Sequence, residues 1–166
     1  MSAILDDTRT YRYRLTRRDA FYPTPPTLWV MLNPSVADEE KDDPTIRKCA
    51  HFQQAWQPGR RGAVEVVNLF ALRATDPKAL VGHPDPVGPD NDDHIVAALR
   101  EVRDAGGRVV VAWGAHKLAR ERAMQVLDVI LDFDVPMCLG HTRDGSPRHP
   151  LYVPYSQPLV PWEGYR

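Results

Sequence analysis

A chain of 166 residues with 43% hydrophobic and 26% charged side chains has the composition of an ordinary globular protein, long enough to bury a core in one domain. Its formal net charge of −1 excludes a protein that coats duplex nucleic acid through sheer positive charge, and no apolar run approaches the roughly 20 residues of a membrane helix. The N-terminus, MSAILDDTRTYRYR, has no basic-then-apolar leader, so a cytoplasmic location is expected. Cys49 and Cys138 sit in apolar patterns that suit buried free thiols rather than a disulfide framework.

In chain order, YRYRL (11–15) alternates polar and apolar residues as a half-exposed strand does. LWVML (28–32) is a continuous apolar run, the mark of a strand covered on both faces. A polar loop follows, with Asn33, Pro34 and Ser35 and the acids Asp38, Asp42 and Asp43. Asp43-Pro44 then reads as an N-cap followed by proline at the first helical position, with Ile46, Cys49, Ala50, Gln53 and Trp56 at helical spacing and Pro58-Gly59 as the stop. AVEVVNL (63–69) is a second buried strand, and ATDPKAL offers a further short helix start. Residues 91–105 form an amphipathic helix stopped by Gly106-Gly107. RVVVAW (108–113) is a third strand, and Gly114 allows a tight turn into a helix over 116–132. Residues 136–139 form a fourth strand, and the Pro-rich tail after it reads as irregular.

Alternation of strand and helix predicts a three-layer α/β/α sandwich, with a central, mainly parallel four-stranded sheet and an added N-terminal strand, in a single domain over 1–166 with its core at about 11–162. Ligands of such sheets bind at the carboxyl ends of the strands, near a topological switch point. All four predicted strand ends carry polar or glycine-rich groups: Asn33-Pro34-Ser35, Asn68-Leu69-Phe70, Trp113-Gly114-Ala115-His116, and a long loop from Gly140 to Tyr152.

Asn33 is either a turn former before Pro34 or a ligand of water; a neutral amide orients water but cannot accept its proton. Asn68, polar within an apolar run, must bond either the backbone or a ligand, and its donor–acceptor pair matches a nucleobase edge. His149 has a side chain suited to proton transfer near neutral pH. His116 either caps its own helix or faces the site. Phe70 and Tyr152 offer rings for stacking on a base, or serve as core and cover. Asp38, Asp42 and Asp43 offer hard oxygens for a divalent metal, but Asp43 as an N-cap with solvated neighbours is the simpler reading; no metal ligand and no cofactor is assigned.

The ordered motifs NPS, VVN, WGAH and RHPLY resemble those of the uracil-DNA glycosylase superfamily. Closer still, MLNPSxAD, DPTIR, VVNLFALRATDPKAL, WGAH and RHPLY resemble an uncharacterised bacterial family, the domain of unknown function 1643, over roughly residues 11–162. The wider resemblance implies that Asn33 positions the attacking water, Asn68 reads the extruded base, and His149 stabilises charge on the departing base. It implies phosphate contacts at Ser35 and Arg148. The late loop reads His-Pro-Leu-Tyr where glycosylases have His-Pro-Ser, and the first motif has Asn in place of Asp. The expected function is hydrolysis of an N-glycosidic bond of a modified base, with Asn33 and His149 catalytic and Pro34, Ser35, Asn68, Phe70, Gly114, His116, Arg148 and Tyr152 binding substrate. The expected partner is single-stranded or locally opened nucleic acid, as in DNA repair, or a free nucleotide, and no membrane. A non-catalytic nucleotide- or base-binding module is the alternative, and a metal-dependent hydrolase built on Asp38, Asp42 and Asp43 is the third.

Overall fold

Two strands set the layering. TLWVM (β3, Thr27–Met31) and VEVVN (β4, Val64–Asn68) are buried at every position. A strand buried on both faces must be covered by helices above and below. Leu28 and Val30 of β3 enter one hydrophobic cluster with Ile95, Leu99, Ala123 and Ile130. Trp29 and Met31 point the other way, into a cluster with Ile46, Cys49 and Phe52. The period-two alternation of a strand thus divides the core into two slabs.

The structure is a computed structural model that describes residues 1–18, 25–56, 63–132 and 135–165. Its remaining elements are β1 (Ser2–Leu5), β2 (Arg12–Arg17), α1 (Pro44–Trp56), α2 (Ala79–Gly82), α3 (Asn91–Asp104), β5 (Arg108–Val111), α4 (Ala119–Leu131), β6 (Met137–Cys138), a 3-10 turn (Pro150–Tyr152) and β7 (Val160–Pro161). Helix α1 lies on one face of the sheet, and α3 and α4 lie on the other. Among the described residues, no helix is long and apolar enough to cross a membrane.

Among the described residues, the sheet has seven strands in the order β1-β2-β4-β3-β5-β6-β7. β3 pairs parallel with both β4 and β5, and β5 pairs parallel with β6. The expectation of four strands plus one falls short at the edges. β1 and β2 form an antiparallel pair, and β2 runs antiparallel beside β4. At the far edge β7, from the tail read as irregular, pairs antiparallel with β6. β2 is the N-terminal strand expected at 11–15; the two strands the pattern missed, β1 of four residues and β7 of two, are too short for their alternation to stand out from loops in a sequence.

The chain leaves β3 for β4 on one side and later returns to β5 on the other, so the loops after β3 and β5 diverge and open a crevice at their carboxyl ends. Helix α1 starts where Asp43 Oδ1 accepts the backbone N–H of Ile46 at 2.9 Å, with Pro44 in the first turn where its missing N–H costs nothing. Helix α4 begins at Ala119, three residues beyond the expected start at His116, because residues 115–118 form a turn in which His116 Nδ1 accepts the N–H of Leu118 at 3.3 Å. Likewise α2 begins at Ala79 rather than at the Asp76-Pro77 pair, Asp76 being spent on the N–H of Lys78. The expected helix stop at Pro58-Gly59 lies outside the described residues. Both cysteines are buried and free.

Candidate functional site

The loop after β3 is stitched to the segment beyond β4 before it reaches α1. Ala74 N donates to the carbonyl of Pro34 at 2.9 Å. Asn33 Nδ2 donates to the carbonyls of Pro34 and Ala74, at 3.0 and 2.8 Å. Both amide hydrogens are therefore committed to backbone, which leaves Oδ1 as the atom Asn33 can offer a ligand. Across the crevice Gly114 adopts a left-handed φ of 74° and donates its N–H to Pro147 O at 2.9 Å. A Cβ on Gly114 would stand 3.4 Å from that of His149. Glycine here lets the late loop close down over the end of β5. Lys48 of α1, itself buried, fixes the loop's other side by donating to the carbonyls of Val153 at 2.5 Å and Leu151 at 3.3 Å.

These segments enclose a cavity of about 540 Å³, within the range of small-molecule sites. Asn33, Ser35, Gly114, His116, Arg148, His149 and Tyr152 line it, so seven residues chosen from three separate strand ends meet around one space. Three of the expected binding residues stand elsewhere. Pro34 is buried behind the wall, where its carbonyl serves the loop. Phe70 is a core side chain packed with Leu69 and Leu80. Asn68 is only 1% exposed and is absent from the lining; its Oδ1 accepts from Arg12 Nη2 at 3.3 Å. The turn after β4 is shut by Asn91 Nδ2, bonded to the carbonyls of Asn68 and Leu69, and by Arg122 Nε on Leu69 O. That closure withholds the Asn68 and Phe70 side chains from the crevice.

Residues that the sequence reading did not assign to the site complete the wall: Arg12, Asp43, Thr45, Trp113 and Thr142 among them. Arg12 was hidden by direction. It begins a strand that runs opposite to β4, so the start of β2 lies beside the carboxyl end of β4. A rule that searches only the ends of parallel strands passes over it. Trp113 was read as a strand terminus; its Nε1–H donates to Tyr165 Oη at 2.9 Å and its ring meets Trp162 edge-on.

The three acids considered as metal ligands part company. Asp38 Oδ1 accepts the N–H groups of Glu40 and Lys41, Asp42 pairs with Arg17 Nε at 2.6 Å, and Asp43 caps α1. Among the described residues, no three carboxylate, imidazole or thiol groups gather as a metal set.

The electrostatics of the cavity follow from burial. His149 is held at a pKa of about 4, chiefly because burial penalises the imidazolium and next because Lys48 repels it, while Asp43 pulls the other way. Its Nδ1 accepts the Leu151 N–H at 3.3 Å, so the neutral ring carries its proton on Nε2. Burial, with Lys117, also lowers the pKa of His116. Burial lowers Arg12 to about 10, so its guanidinium stays charged at neutral pH. The cavity thus offers a neutral imidazole donor, an amide oxygen, a carboxylate and a fixed positive charge around one volume.

No curated protein and no solved structure matches the chain. One family model, described as protein of unknown function (DUF1643), matches residues 12–151. That span begins at Arg12 and includes every lining residue of the cavity except Tyr152, and the chain belongs to this family.

Proposed function

We propose that the cavity receives a nucleobase or nucleotide and that the protein hydrolyses an N-glycosidic bond of a modified base, as the resemblance of its strand-end motifs to uracil-DNA glycosylases implies. The observation that carries this reading is the convergence of Asn33, His149 and Asp43 on one cavity at the carboxyl ends of parallel strands. Asn33 Oδ1 orients a water. Asp43, the carboxylate among the described residues of that wall, supplies the proton acceptor that an amide lacks. His149, neutral and protonated on Nε2, donates to the base as negative charge builds on it. Trp113 and the exposed ring of Tyr152 give the base apolar surface. A polymeric substrate would be single-stranded or locally opened DNA, with a role in DNA repair; a free nucleotide is the other form the reading allows.

A second reading, a binding module without turnover, draws support from the commitment of both Asn33 amide hydrogens to backbone carbonyls. The two separate in one assay. Oligonucleotides bearing uracil, hypoxanthine, xanthine, alkylated or oxidised bases, single- and double-stranded, and the matching free nucleotides are incubated with the protein and released base is measured. The expected result is release from at least one substrate, lost in His149→Gln and in Asp43→Asn, a change that keeps a capping oxygen. Binding without release selects the module, and neither binding nor release refutes both.

A further inference from the structure

Building on the nucleotide reading above, on which it rests, we infer that the cavity contains an anion subsite founded on Arg12, and that its ligand is a free nucleotide whose terminal phosphate enters the cavity. Arg12 lines the cavity yet is only 2% exposed. Its hydrogen-bond partners are neutral: Nη1 donates to Ala37 O at 2.7 Å and Nη2 to Asn68 Oδ1 at 3.3 Å. Among the described residues, no carboxylate lies within the 4.0 Å that defines an ion pair with it. Its Nε–H is buried without an acceptor, and so is Nδ2 of Asn68 beside it.

The other enclosed arginines are treated differently. Arg14 has Glu65 at 3.1 Å and Glu101 at 2.7 Å, Arg17 has Asp42 at 2.6 Å, and Arg122 pairs with Asp92. A buried guanidinium without an ion-pair partner is costly to fold, and among the described residues Arg12 is the buried arginine left in that state, with the charge of Asp43 reaching it only from beyond ion-pair distance. Arg73 adds to the imbalance. Its charge repels that of Arg12, against the stronger attraction of Asp43, and its own buried Nε–H lacks an acceptor. Of the charged groups among the described residues of the wall, Arg12 and Arg148 stand against Asp43, whose Oδ1 is already engaged by Ile46 N–H. The cavity is therefore a positive hole with hydroxyls of Ser35 and Thr45 at its side. An oxyanion placed there receives charge-assisted hydrogen bonds that water supplies less well.

Depth selects the source of that oxyanion. A guanidinium this enclosed meets only a group at the tip of a ligand that fills the cavity. A terminal phosphate is such a group, whereas a phosphate inside a polymer carries a sugar on each side.

The test is calorimetric titration of the intact protein with the common nucleosides, their 5′-monophosphates, inorganic phosphate, and tetranucleotides lacking a terminal phosphate. The expected result is that a monophosphate binds about tenfold or more tighter than its nucleoside. That advantage vanishes in Arg12→Met, returns in part in Arg12→Lys, and shrinks in Arg148→Gln at the exposed rim. Equal affinity for nucleoside and monophosphate overturns the subsite and leaves the base pocket standing. Phosphate binding to which a base adds nothing upholds the subsite and removes the base reading. A tetranucleotide that matches the monophosphate overturns the choice of a free nucleotide, and no binding by any probe overturns the whole. The ligand pairs on the unaltered protein decide the matter even if Arg12→Met does not fold.

Discussion

Acidification from about pH 7 to pH 4 protonates any histidine with an ordinary pKa near 6.5, but the folded protein holds His149 at about 4. The unfolded chain therefore binds a proton at this residue that the native state refuses. The sign follows: the native state's preference for neutral imidazole contributes stability above pH 6.5, and that stability drains away as pH falls through 6.5 towards 4. At 1.36 kcal/mol per pKa unit the full depression corresponds to about 3 kcal/mol, lost at up to about 1.4 kcal/mol per pH unit across the window. Carboxylates titrate at the lower end of the same window, so the informative quantity is the difference between the protein and His149→Gln. Denaturant unfolding at half-unit steps of pH measures it. The variant should lose about 3 kcal/mol less than the parent between pH 7 and 4, and proton NMR should place the His149 imidazole below pH 5. A titration of His149 at or above pH 6, or parallel stability curves for the two proteins, would refute the claim that the site enforces a neutral ring.

Two further outcomes test the frame that holds the site. Glu65 has no exposed surface and accepts from Arg14 Nε at 3.1 Å, Thr16 Oγ1 at 2.7 Å and Arg18 Nε at 2.5 Å. Glu65→Gln leaves a buried guanidinium facing an amide, so it should cost about 3 kcal/mol and lower Tm by about 6–12 °C in a thermal melt; a fall under about 2 °C contradicts this. Gly114→Ala, at φ 74° with its new Cβ 3.4 Å from that of His149, should cost about 1–2 kcal/mol from the left-handed backbone and weaken ligand binding; an unchanged melt and affinity remove the role assigned to glycine there.

The parallel core was legible because its signals are strong and local: TLWVM and VEVVN are buried throughout, and Asp43-Pro44 starts α1 as N-cap and first helical residue. Asn33, Gly114 and His149 were legible as wall residues because each ends or follows a strand whose direction the pattern reveals. Arg12 was not. Its neighbours alternate as in a half-exposed strand, yet Arg12 and Arg14 are both buried, because β4 pairs with that strand and α3 packs on it. Asn68 and Phe70 show the converse limit. A polar or aromatic residue at a strand end looks the same in sequence whether it faces ligand or closes a turn, and here Asn91 and Arg122 decide it from more than twenty residues away. Glu65 gives no sign of its two arginine partners, since they lie on the antiparallel edge that the pattern left half-described.

The wall of the cavity draws on residues from Arg12 to Tyr152, nearly the full span of the fold. Such a surface has no local seed; it closes only after the most sequence-distant contacts have formed, which are also the slowest to form. A growing chain that has already built β1 through β5 still lacks the segment bearing His149, so the wall of the cavity is incomplete. Occupancy of the cavity is then a report that folding has finished, and a ligand that binds it reinforces the whole molecule by mass action rather than any one part.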